Sequence, residues 1–121
     1  MKAVSPTIEK NVVAPKSVLF ALKIMRLYEK LCSKGTDRLL ATHLLQSGTS
    51  IGTLVREAEL TESKPEFLDL INRALKDAQT AARCLLLLKE GSYIHSLEYG
   101  KLNADCDEIT TLLTEIIDQL Q

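Results

Sequence analysis

Basic side chains recur at helical spacing near the start of the chain. At steps of seven, three, four and four residues come Lys16, Lys23, Arg26, Lys30 and Lys34. Residues three, four or seven apart share one face of an α-helix, so these side chains form a continuous basic stripe. Such a stripe can contact nucleic-acid phosphates, with an affinity that falls as salt rises. An ordinary solvated helix face is the alternative interpretation.

A second basic set lies later in the chain, where Arg73, Lys76 and Arg83 follow at steps of three and seven. Pairing of Arg73 with Asp69 or Asp77 on the same helix is the alternative there. No aromatic residues interleave with either set, so each side chain would bind by charge and not by reading bases. The candidate nucleic-acid contacts are Lys23, Arg26, Lys30, Lys34, Arg73, Lys76 and Arg83.

Small residues are concentrated in the segment 47–53, Ser-Gly-Thr-Ser-Ile-Gly-Thr. Each glycine inside a helix costs about 1 kcal/mol relative to alanine. Gly48 and Gly52 lie one turn apart, so both open the same face to a neighbouring helix. We therefore predict a helix-packing motif, with a groove lined by hydroxyl groups as the less favoured alternative. The motif comprises Ser47, Gly48, Ser50 and Gly52.

Residues that could carry catalysis or hold a metal lack the required spacing. Neither His43 nor His95 follows a glutamate three residues earlier, as a di-iron carboxylate bundle requires. Three cysteines, Cys32, Cys84 and Cys106, form no CxxC pair and fall in apolar helical stretches, as buried thiols in a reducing cytoplasm do. There is no glycine-rich phosphate loop. We predict no enzymatic activity, no metal and no cofactor.

Length and composition fit one small domain. The 121 residues are 45% hydrophobic and only 4% aromatic, which favours an aliphatic helical core. The net charge of −1 is unevenly distributed: residues 16–89 hold 12 Lys and Arg against 8 Asp and Glu, and residues 90–121 hold one Lys against 7 acids. No apolar run reaches the roughly 18 residues of a membrane span and no signal peptide is evident, so we expect a cytoplasmic protein with no membrane partner.

Apolar residues at steps of three and four predict four helices, over about 16–33, 36–60, 64–90 and 96–120, preceded by an extended or flexible arm over 1–15. Gly35 favours a helix stop, and Thr36, Ser63 and Ser96 are candidate N-caps. Short connections force neighbouring helices to run antiparallel. The predicted fold is an all-α, antiparallel up-down-up-down four-helix bundle.

The apolar stripes are wider than a single buried seam requires. The third predicted helix carries additional leucines beside its seam, and the fourth carries two further apolar residues. A monomeric bundle buries one face per helix, so a second apolar face predicts self-association. A thick core with some exposed leucine is the alternative. The additional residues are Leu68, Leu70, Leu75, Leu86, Leu87, Leu112 and Ile117.

Several motifs between Val18 and Ile94 carry a family resemblance. They are Phe-Ala-Leu-Lys-Ile at 20–24, Leu-Leu-Gln-Ser-Gly-Thr-Ser-Ile-Gly at 44–52, Glu-Ala at 57–58, Ser63 with Glu-Phe-Leu at 66–68, Ala-Leu-Lys-Asp-Ala at 74–78, and Leu85. In these the chain resembles the bacterial four-helix bundle proteins encoded in intervening sequences of large-subunit ribosomal RNA genes. The accessory variability proteins of diversity-generating retroelements look like a related branch.

The resemblance implies a cytoplasmic, non-enzymatic homo-oligomer, with a pentameric ring favoured, that binds RNA or DNA or a nucleic-acid enzyme such as a reverse transcriptase. The chain departs from the family pattern at three positions. Leu54 stands where the family usually has Asn, Thr80 where it usually has a second Glu in the third helix, and Cys84 where it usually has Trp. We therefore expect apolar packing in place of a buried polar network. A protein-interaction module without nucleic-acid binding is the alternative function.

Overall fold

Four helices make up nearly all of the part of the chain that the computed structural model describes, residues 13–35 and 38–121. In chain order, α1 spans Val13–Ser33, α2 Arg38–Leu60, α3 Lys64–Glu90 and α4 Ser96–Leu120. Each helix packs against the next, and α4 returns to pack against α1, so α1 and α3 are diagonally opposite. This arrangement confirms the predicted all-α four-helix bundle.

The start of α1 differs from the prediction. The helix begins at Val13, three residues before the predicted start at Lys16. Pro15 lies in its first turn, where a missing backbone N–H leaves no helical hydrogen bond unmade. The remainder of the predicted arm, residues 1–12, and the predicted N-cap Thr36 lie outside the described residues.

Local capping chemistry sets the other helix ends. Gly35 adopts the left-handed conformation expected after α1, with φ +76°. At the start of α3, the Ser63 hydroxyl accepts a hydrogen bond from the backbone N–H of Glu66 at 3.2 Å. The Glu66 carboxylate accepts from the Thr61 hydroxyl at 2.6 Å, and that hydroxyl accepts from the Ser63 N–H at 3.2 Å. In a capping box the glutamate would itself accept from the Ser63 N–H, whereas here the Thr61 hydroxyl accepts from that N–H and donates to the glutamate.

The predicted cap of α4 is wrong. The N-cap residue is His95, whose side chain makes no capping hydrogen bond, and Ser96 is the first residue of the helix. The preceding turn places the left-handed conformation at Ser92, with φ 64°, while Gly91 keeps a negative φ of −81°. The start of α4 is therefore fixed by the turn and by burial of Ile94, not by a side-chain cap.

One apolar stripe along each helix forms the core. The residues of these stripes are buried, except that Leu40, Tyr99 and Leu120 at their edges are half-buried. Leu54 and Cys84, at two of the positions that depart from the family pattern, are also buried. The largest fully buried side chains are Phe20, Phe67, Ile24, Leu27, Leu31, Leu44, Ile51, Ile71, Leu85, Leu88, Ile109 and Leu113.

The small residues of α2 bring it against α1 on one side and tie it to α3 on the other. A β-carbon at Gly48 would lie 3.1 Å from two side-chain carbons of Ile24, and one at Gly52 would lie 3.7 Å from the β-carbon of Ser17. The Ser47 hydroxyl donates to the carbonyl of His43 one turn earlier. Ser50 instead donates to the carboxylate of Asp77 on α3.

These contacts predict different effects on stability of adding one methyl group at two positions in the same helix. Gly52→Ala should raise the free energy of unfolding by roughly 1 kcal/mol, because helix propensity improves and the new contact is an ordinary one. Gly48→Ala should raise the free energy of unfolding by less than Gly52→Ala does, or lower it, because Ile24 must shift. Urea unfolding followed by circular dichroism at fixed protein concentration measures both.

Gly100 supplies the matched control, since nothing lies within 4 Å of a β-carbon added there. Gly100→Ala should therefore raise the free energy of unfolding by the same amount as Gly52→Ala, through helix propensity alone. Equal gains at Gly48 and Gly52 would show that α1 and α2 do not need the smaller residue at their closest approach.

Candidate nucleic-acid interface

The basic stripe of α1 faces the acidic side of α4. Three lysines spaced by seven residues each form a salt bridge across this seam. The nitrogen–oxygen distances are 2.9 Å for Lys16–Glu108, 2.7 Å for Lys23–Asp105 and 3.0 Å for Lys30–Glu98. The uneven charge distribution of the sequence therefore has a direct structural counterpart, in which α4 pairs with α1.

All three pairs are open to solvent. In two of the pairs the lysine side chains are about half exposed, at 49% for Lys23 and 57% for Lys30, and their acidic partners are about one-third exposed. Water and salt screen such pairs, so each contributes only about 0–1 kcal/mol to stability. The lysines form ion pairs, but these pairs are too weak to hold their side chains in one position.

A groove of about 400 Å³ runs between α1 and α4 at this seam. Leu27 and Leu102, both buried, lie at its floor. Its remaining lining consists of charged side chains, four cations against two carboxylates. These are Lys23, Arg26, Lys30, Lys101, Glu98 and Asp105.

Two cations of this groove, Arg26 and Lys101, form no ion pair with any described residue. Both are exposed, and they come from opposite walls. Lys101 was not among the residues proposed from the sequence, because it is the lone base in an acidic segment. Its position three residues after Glu98 and four before Asp105 is the signal that places it on the α1 side of α4.

The seven candidate contacts do not form one surface. Lys23, Arg26 and Lys30 line the α1–α4 groove, and Lys34 lines a smaller cavity at its end with Tyr93 and His95. The other three residues, Arg73, Lys76 and Arg83, are exposed on α3, the helix diagonally opposite α1.

Charge on α3 is less neutralised within the chain. Arg73 lies 3.9 Å from Asp69, both well exposed, which makes this the weakest kind of ion pair. Asp77, the other partner considered from the sequence, accepts a hydrogen bond from Ser50. Lys76 and Arg83 form no ion pair with the described residues, so this face remains basic.

A feature not foreseen from the sequence is an apolar outer face on α1. Val18, Leu22 and Met25 are 55%, 42% and 47% exposed, on the side of the helix away from its buried seam. Val18 and Leu22 also line a groove of about 430 Å³ between α1 and α2 that reaches Gly52. The steps of four and three residues between them, offset from the seam, are a signal the sequence does contain.

The additional apolar residues predicted on α3 and α4 divide into three groups. Leu70 and Ile117 are buried and belong to the core. Leu68, Leu75 and Leu112 are half-buried. Leu86 and Leu87 alone are exposed, at 42% and 52%. The exposed apolar surface of α3 is therefore smaller than the sequence pattern predicts.

The two thiols in the core are poorly suited to nucleophilic chemistry. Burial, and then the nearby carboxylates of Asp107 and Asp105, raise the pKa of Cys106 to about 12. Its sulfur lies 3.2 Å from the carbonyl oxygen of Ala78, to which the thiol donates. Burial likewise raises the pKa of Cys84, against a smaller opposing effect of Arg83.

Two features are absent from the part of the chain that the structure describes. No group of three or more His, Cys, Asp or Glu side chains there is arranged to hold a metal ion. None of the four helices is long and apolar enough to cross a membrane.

The thiol environments predict an order of chemical labelling. In the folded protein near neutral pH, iodoacetamide should modify the partly exposed Cys32 well before Cys84 or Cys106, because the thiolate is the reactive form and burial suppresses it. Mass spectrometry of digested samples measures the order. A Cys32→Ser variant should then remain largely unlabelled until urea is added, and rapid labelling of Cys106 in the native state would contradict the described core.

Comparison with known proteins places the chain among relatives of undetermined role. The family model described as "23S rRNA-intervening sequence protein" matches residues 9–115. No curated protein gives a significant match.

A solved structure supports the same relationship. It is that of a protein with unknown function from the S23 ribosomal protein family of Bacteroides thetaiotaomicron. The two chains are 40% identical and superpose with a TM-score of 0.86, over 89% of this chain and 96% of the other. With the family match covering most of its length, the chain belongs to the 23S rRNA-intervening sequence protein family.

Proposed function

We propose that this protein is a non-enzymatic, homo-oligomeric bundle that binds nucleic acid, or a nucleic-acid enzyme such as a reverse transcriptase, through basic helix faces. The observation that carries the nucleic-acid part is the α1–α4 groove, whose lining holds four cations against two carboxylates. The names of the family and of the structural neighbour, which refer to ribosomal RNA and to a ribosomal protein family, agree with a role beside RNA.

The groove suits a phosphate backbone better than a base. Arg26 and Lys101 extend from opposite walls and are exposed, so a strand lying along the groove would meet a cation on each side. Each phosphate contact of this kind releases counterions and contributes a salt-dependent term to binding. None of the described residues that line the groove is aromatic, so the chemistry favours binding without base recognition.

Homo-oligomerisation would strengthen this weak basic character. The chain has a net charge of −1, and one copy offers only a few unpaired cations on each face. A ring, with five copies favoured, would repeat the same groove around its axis and raise the local positive potential. The apolar outer face of α1, formed by Val18, Leu22 and Met25, is the surface we propose for contact between copies.

A protein-interaction module is the second candidate function, and the same apolar face supports it. Exposed aliphatic residues at helical spacing are typical of surfaces that receive an amphipathic helix from another protein. In that case Val18 and Leu22 would contact a partner rather than another copy, and the paired lysines of α1 would serve only to hold α4.

Fluorescence anisotropy with labelled structured RNA and duplex DNA, repeated over a series of salt concentrations, tests the main proposal. We expect binding at low salt that weakens steeply as salt rises. Changing Arg26 and Lys101 together to Gln should weaken binding severalfold, and it removes no salt bridge between described residues. Charge reversal at Lys23 or Lys30 is avoided, since it would place a carboxylate against Asp105 or Glu98.

The matched control changes Arg56 and Lys64 to Gln. Both are exposed cations outside the groove, and neither has an ion pair among the described residues. This control has the same net charge as the groove variant. If only the net charge mattered, both variants would therefore bind with equally reduced affinity. Equal loss would therefore count against the groove, and no binding by the unchanged protein at low salt would count against the function.

Light scattering coupled to size-exclusion chromatography tests the oligomer. We expect Leu22→Glu with Met25→Glu to reduce the assembly to monomers while helicity is retained, because two charges would be buried without partners at the interface. Leu86→Glu with Leu87→Glu, of similar exposure on α3, should leave the assembly intact. Dissociation by the second pair alone would place the interface on α3, as the sequence pattern predicts.

A further inference from the structure

We infer that the carboxylates of α4 act as built-in competitors of phosphate at the lysines of α1. In the free protein, Asp105 and Glu98 would occupy Lys23 and Lys30, and a nucleic-acid backbone entering the groove would displace them. This inference rests on the proposed function and deepens it, since it names the contacts within the groove and what restrains them.

The first support is the match between the two helices. Lys16, Lys23 and Lys30 repeat every seven residues, and each meets a carboxylate of α4 at 2.7–3.0 Å. To the ammonium group of a lysine, a carboxylate oxygen at this distance is a negatively charged hydrogen-bond acceptor, as a phosphate oxygen is. The positions that would receive phosphates are thus filled by groups of similar chemistry.

The second support is that the pairs can open without disturbing the core. All six side chains of these pairs are at least 31% exposed, so water already reaches them. The helices α1 and α4 also pack less extensively than any other adjacent pair. Beneath the pairs, Leu27 and Leu102 remain buried, so a lysine can exchange its partner by side-chain rotation alone.

The third support is that the groove offers a place for a phosphate to bind first. Arg26 and Lys101 have no carboxylate partner among the described residues and lie beside the two paired lysines. A phosphate held by either cation would lie close to a Lys–carboxylate pair and repel its carboxylate. Exchange of partners would then add further contacts of the same kind along the strand.

The test neutralises the competitors and leaves every lysine in place. We expect Glu98→Gln with Asp105→Asn to bind duplex DNA about two- to thirtyfold more tightly than the unchanged protein, the range corresponding to two exposed ion pairs. The slope of log affinity against log salt should change little, because the unchanged protein makes the same phosphate contacts once its carboxylates are displaced. Each single variant should show part of the gain in affinity, which keeps the test valid if the double variant folds poorly.

The control is Asp107→Asn with Asp118→Asn. It makes the same charge change on exposed residues of the same helix that form no ion pair with the described residues. It should raise affinity less than the groove variant does. Circular dichroism and light scattering on all variants separate a change in binding from a change in fold or assembly.

The outcomes separate the two proposals. A gain in affinity that is larger in the groove variant than in the control would support the inference. Binding by the unchanged protein that both double variants alter equally would overturn the inference and leave the proposed function standing. No binding by any variant at low salt would overturn both.

Discussion

Each helix buries a stripe of mainly aliphatic side chains that repeats every three or four residues, and the position of that stripe decides which side chains are left for other contacts. On α1 the stripe is centred on Phe20, Ile24 and Leu27, so the lysines beside it point along the seam with α4. On α2, Gly48 lets Ile24 approach closely and so fixes the rotation of α1. The charged groove therefore follows from how the apolar core is packed.

The seam between α1 and α4 differs in kind from the other three. Those three are held by extensive apolar packing, whereas this one is bordered by solvent-exposed ion pairs above a pair of leucines. Exposed pairs contribute little to stability, but they orient side chains and exclude wrong pairings. At this seam with its exposed ion pairs, side chains can therefore exchange partners with little loss of stability.

Periodicity and capping residues predict the fold because burial of a helix face leaves a regular record in the sequence. The buried stripe of α3, from Phe67 to Leu88, follows this spacing of three and four residues throughout. Partnerships between helices leave no such record. The pairing of Lys23 with Asp105 joins residues 82 positions apart, and the acid at position 105 has no feature that identifies its partner. The role of Lys101 and the failed cap at Ser96 depend likewise on three-dimensional contacts.

The order of the helices around the bundle has a consequence for how the chain folds. Three of the four adjacent pairs join helices that follow one another in sequence, and the only pair that joins the two ends of the described chain, α1 with α4, packs least. Native contacts therefore concentrate at short sequence separation, which is the topology of fast-folding helical proteins. A nascent chain could assemble α1 to α3 as successive hairpins and add α4 last. The ion pairs would then form at the final step and align α4 against the three helices that have already packed.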